Sequence, residues 1–179
     1  MILYHGTNQD FETIDFSKCK RGKDFGCGFY LSDDPQQALE MAQNRAKFQG
    51  GEPIVQQYEF DNTLLKGYLL FRQFEGYTKE WAEFIYANRK NLLRENIHFY
   101  DVVYGPIAND TVGLQVRNLI EHNISLEVFL ERLKHMKGIT YQYFFGTERA
   151  INQLNGYDQP KGHRLYERMH HSRCHSAPR

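Results

Sequence analysis

The chain has 179 residues, enough for one domain of about 100–200 residues with a tail. Its 41% hydrophobic and 25% charged content excludes wholesale disorder and collagen-like or coiled-coil repeats. The net charge is zero but uneven: residues 1–160 carry 17 basic and 21 acidic side chains, residues 161–179 five and one, so no basic body marks a nucleic-acid binder.

Ile2–His5 reads as a buried strand ending at Gly6-Thr7, and the polar residues 8–25 as a loop. Cys27–Ser32 is a second strand. Asp34 caps a helix with Pro35 in its first turn, and Gly50-Gly51 ends it. Ile54–Phe60 is rich in strand formers. Tyr77–Arg89 is a helix with Thr78 as its cap. Asp101–Gly105 is a strand, with Asp110 capping a helix that runs to about His122. Ser125–Met136 is another helix, and Tyr141–Phe145 a final aromatic strand. Thr147 caps a short helix, and after Gly156 the apolar pattern stops. This irregular order fits an α+β fold rather than a doubly wound parallel sheet. Two segments follow: a domain over 1–156 and a basic, His-rich tail over 157–179.

No apolar run approaches the ~18 residues of a membrane span, and the N-terminus has no signal-peptide pattern. Cys19, Cys27 and Cys174 form an odd, sparse set that suits unpaired thiols in a reducing cytoplasm. In the tail, His163, His170, His171, Cys174 and His175 match no standard zinc spacing, so no metal site is expected.

Three segments carry chemistry. His5 stands at a strand end before Gly6-Thr7, where a glycine leaves backbone groups open to a ligand. Gly26 and Gly28 permit close backbone approach beside Tyr30, whose ring offers a flat face. Gln142 begins the last aromatic strand, and Glu148 the helix after it. Each has an ordinary reading as a turn histidine, a core aromatic or a helix-dipole partner. Asp24-Phe25-Gly26 imitates a kinase metal-binding triplet, but no other kinase signature accompanies it.

Together, Tyr4–Thr7 (Y-H-G-T), Asp24–Leu31 (D-F-G-C-G-F-Y-L), Tyr100–Asp110 and Phe145–Ala150 (F-G-T-E-R-A) resemble the ADP-ribosyltransferase superfamily. The likeness is to the branch of diphtheria toxin and the poly-ADP-ribose polymerases, and to a bacterial family placed with them. It spans roughly residues 2–155.

The resemblance implies a split, mostly antiparallel sheet with flanking helices and an NAD cleft between its halves. It assigns His5 to the histidine that bonds a ribose hydroxyl, and Gly6, with Thr7 beside it, to the carboxamide clamp. Tyr30, with Gly28 before it, matches the tyrosine that stacks on nicotinamide. Met41 falls where the polymerases place a second stacking tyrosine, and Ala38 replaces a small hydroxyl residue. Gln142 stands at the position of the catalytic glutamate, giving His5, Tyr30 and Gln142 as the catalytic set. A glutamine lacks the charge that stabilises an oxocarbenium ion, which speaks against polymer formation and leaves single-unit transfer.

The implied function is mono-ADP-ribosyl transfer from NAD, as co-substrate, to a protein or nucleic-acid acceptor. By analogy, a bacterial toxin with an antitoxin partner fits. An NAD or ADP-ribose binding module and an NAD glycohydrolase are the alternatives.

Overall fold

The computed structural model describes residues 1–134 and 138–156; Met136 and the tail, including its histidines and Cys174, lie outside them. In chain order the elements are β1 (Ile2–Thr7), β2 (Phe29–Leu31), α1 (Pro35–Gln49), β3 (Ile54–Glu59), β4 (Phe71–Gln73), α2 (Lys79–Lys90), β5 (Val102–Pro106), α3 (Asp110–Ile120), α4 (Leu126–Lys134), β6 (Tyr141–Phe145), α5 (Glu148–Ile151) and β7 (Asn155–Gly156). The fold is α+β.

The strands form two sheets, β1-β3-β7 and β2-β6-β5-β4. All pairings are antiparallel except β4 with β5. β4 and β7 escape sequence reading because three-residue and two-residue strands carry too few residues to show a period. The second strand is shorter than Cys27–Ser32: Asn96 donates to the Cys27 carbonyl and accepts from its N–H, taking that backbone out of the ladder.

Capping explains the helix starts. Asp34 accepts from the Gln36 N–H at 2.8 Å, and Pro35 needs no partner in the first turn. Thr78 accepts from the Trp81 N–H. At α3 the cap is Asn109, whose Oδ1 takes the Val112 N–H, and not Asp110, which is already helical. Asp101, at the foot of β5, is buried. It accepts from the Leu70 N–H and the Thr147 hydroxyl and pairs with Arg149, joining β4, β5 and α5.

Two cores flank the four-stranded sheet. On one face Phe25, Trp81, Ile85, Val103, Val112, Phe129 and Phe144 pack the sheet against α2, α3 and α4. On the other, Leu3, Phe29, Leu31, Tyr58, Val102 and Phe145 pack it against the three-stranded sheet. Each such apolar side chain contributes about 1.5–3 kcal/mol on burial. Trp81 also donates its indole N–H to the Pro106 carbonyl at 3.1 Å, which removes the cost of a buried donor. No helix among the described residues is long and apolar enough to cross a membrane.

Candidate functional site

The two sheets meet at one isolated bridge. Tyr4 N–H donates to Ser32 O at 2.7 Å, and Ser32 N–H to Tyr4 O at 2.8 Å. Continuing that antiparallel register sets Gly6 opposite Tyr30, but there the ladder stops. By strand alternation the N–H and C=O of Gly6 point away from β3, as those of Tyr4 do. No other described residue bonds them. The Tyr30 carbonyl turns instead to His5 Nδ1 at 2.8 Å. The gap therefore opens between the two segments singled out in the sequence.

α1 lies directly over Gly6. A Cβ there would stand 2.9 Å from the Ala42 nitrogen and closer still to the Ala38 carbonyl oxygen, so only glycine lets the helix reach the strand. Ala38 and Ala42 are buried for the same reason, while Met41 beside them is 48% exposed. Gly28 also owes its size to packing: a Cβ there would run into the Phe144 ring and stand 2.6 Å from the Phe145 carbonyl oxygen. Its Cα therefore abuts β6. Thr7 is buried, and its hydroxyl is taken up locally by the Gln9 backbone.

His5 is buried, stacked on Phe29 at 4.4 Å with Phe11 edge-on. A carbonyl only accepts, so Nδ1 carries the proton and donates it to Tyr30 O. In the neutral ring Nε2 is then a bare acceptor. Burial lowers the imidazole pKa to about 4, partly opposed by the bond to Tyr30 and helped by nearby Arg45. The unfolded chain takes up this proton near pH 6.5 and the folded chain only near 4, so stability falls as pH drops through that window. The loss expected from His5 is about 3 kcal/mol. Chemical denaturation from pH 7 to 4 should show a smaller decline for His5→Gln than for wild type; equal declines would refute a buried neutral imidazole.

Tyr30 is anchored through its hydroxyl, which donates to Gly26 O at 2.8 Å and accepts from Phe25 N–H at 3.1 Å. Burial and the nearby Asp24 charge push the phenol well above its ordinary range. Its ring packs edge-on against Phe144, its partner across β2 and β6. Gln142, two residues before Phe144, shares that face of the sheet with Tyr30.

Gln142 meets a group that sequence reading placed in no site. Its Nε2 donates to Asp24 Oδ2 at 3.3 Å. Asp24 is buried; its Oδ1 accepts from Arg89 Nε at 2.9 Å and Nη2 at 2.7 Å, and its Oδ2 from the Ala108 N–H at 3.0 Å. Arg89 also lines a cavity of about 540 Å³ with Gly22, Asn109, Gly113 and Arg117. These partners stand 65, 84 and 118 residues from Asp24, separations for which no local spacing rule exists.

The structure thus brings His5, Gly6 and Tyr30 together and sets Gln142 on the same face of the sheet as Tyr30. It does not bring His5 and Gln142 side chains together, since His5 packs with Phe29 in one core and Gln142 points towards Asp24 on the opposite face. Glu148 is exposed at the far end of β6.

Fold and site define an α+β domain whose two sheets part beyond a single bridge, where a buried neutral histidine, an unpaired glycine backbone and an anchored tyrosine stand. Residues 1–155 match the family described as protein of unknown function, DUF3990, and the chain belongs to that family. No curated protein and no solved structure matches it.

Proposed function

We propose that the domain transfers a single ADP-ribosyl unit from NAD to a macromolecular acceptor. The observation that carries this reading is the gap beyond the Tyr4–Ser32 bridge, where the unpaired Gly6 N–H and C=O face Tyr30. A carboxamide offers one acceptor and one donor group side by side, the complement of a single residue's backbone. The Tyr30 ring, fixed by its hydroxyl, supplies a stacking face. His5 Nε2 accepts from a ribose hydroxyl. Gln142, on the Tyr30 face, accepts from the hydroxyl of the nicotinamide ribose.

In the reaction the bond from ribose C1′ to the nicotinamide nitrogen breaks, and its electron pair leaves with nicotinamide. An acceptor nucleophile bonds C1′ and releases its proton to solvent. The chain's own contribution is orientation of the ribose and of the leaving ring.

Incubating the protein with NAD labelled in the adenylate half tests this. The expected result is nicotinamide release with label on macromolecules of a cell extract. Free ADP-ribose as the sole product means that water is the acceptor; saturable binding without release leaves a binding module. His5→Ala should weaken the interaction by about 0.5–1.5 kcal/mol, the net worth of one hydrogen bond.

A further inference from the structure

The carboxylate missing from position 142 has a counterpart nearby. Asp24 is buried on the Gln142 face of the sheet, and three groups hold its orientation: the Arg89 fork, the Ala108 N–H and the Gln142 amide. A carboxylate accepts only, so it selects one of the two orientations of the Gln142 amide, with Nε2 inward. Oε1 is then the atom left to face outward. Neither Arg89 nor Ala108 needs Gln142; the reverse dependence is what matters.

We infer that Asp24 is a positioning residue, holding the Gln142 amide so that its carbonyl oxygen and not its NH₂ group is presented to the gap. For a ribose hydroxyl as the group received, this rests on the transferase reading above. The same geometry explains why glutamine suits this chain: a glutamate at 142 would set two carboxylates about as close as the present 3.3 Å contact, and both cannot stay ionised at ordinary cost.

The test is a cycle of three variants, Gln142→Glu, Asp24→Asn and the two combined, each followed by thermal melting from pH 5 to 8 and by nicotinamide release. Charged and titratable groups facing Asp24 are Arg89 on α2, Lys23 on its own loop, Tyr30 on β2 and Tyr77 before α2. Both tyrosines are pushed above their ordinary range and stay neutral in this window, while burial lowers Lys23 from the ordinary lysine range. Wild type and all three variants share these groups, so differences between them read the side chains at 24 and 142.

In Gln142→Glu the pair must hold a proton to a higher pH when folded than when unfolded. Its stability relative to wild type is then retained at low pH and lost as pH rises, with the folded-state affinity for that proton raised by more than about tenfold. Nicotinamide release should fall over the same range. Asp24→Asn should lower the melting temperature of wild type but raise that of Gln142→Glu at pH 8, and the double variant should lose the pH dependence.

Equal lowering by Asp24→Asn in both backgrounds, with no pH dependence in Gln142→Glu, would overturn the inference and leave Asp24 a purely structural partner of Arg89. If the double variant does not fold, the pH profile of Gln142→Glu alone decides. The reversal without nicotinamide release from wild type would sustain the Asp24–Gln142 coupling and remove the transferase reading. Release without the reversal would do the opposite.

Discussion

Replacing Arg89 by methionine is expected to destabilise the fold by about 3–5 kcal/mol, the range for removing one partner of a buried ion pair. Asp24 is 7% exposed and receives two of its hydrogen bonds from this one guanidinium, at 2.9 and 2.7 Å. Methionine fills much of the space but leaves the carboxylate with the Ala108 N–H and the Gln142 amide as its remaining partners. Arg89→Lys should cost less, because charge survives while the two-pronged geometry is lost. Urea denaturation of the three proteins checks this. A methionine variant as stable as wild type would mean that Asp24 is reached by water and that the pair contributes little.

Gly6→Ala should have a comparable effect, about 3 kcal/mol, at the upper end of the range for overpacking. Most added methyl groups are accommodated by rotation of a neighbouring side chain. Here the obstacles are the Ala38 carbonyl and, at 2.9 Å, the Ala42 nitrogen, both backbone atoms inside α1. Relief requires the whole helix to lift from β1, which would also shift Met41 and widen the gap before Tyr30. Denaturant melts together with NAD titration by calorimetry provide the check. An alanine variant with unchanged stability would show that α1 sits further from the strand.

Much of this architecture is legible in local sequence, because local interactions set it. The Asp34-Pro35 start and Gly50 end of α1 follow from capping chemistry, and the observed helix is Pro35–Gln49. The strands at Ile2, Ile54 and Tyr141 follow from runs of β-branched and aromatic residues. Asn109 rather than Asp110 at the α3 cap marks the limit of that reasoning, since adjacent residues with equal capping ability are separated only by the backbone, extended at Asn109 and helical from Asp110.

The site divides along the same line. His5, Gly6 and Tyr30 are visible as motifs because each sits in a short segment with a glycine beside it. The sequence alone also determines that a glutamine, and no carboxylate, occupies position 142. Tertiary structure alone decided that this glutamine meets Asp24, that Arg89 fills the other side of the carboxylate, and that His5 lies on the opposite face from both. These contacts join a loop, a helix and a strand between 65 and 118 residues apart. No periodicity encodes such a meeting; it follows from the β2–β6 register, which assigns each side chain to one face of the sheet or the other, and from α2 packing across the face that holds Asp24.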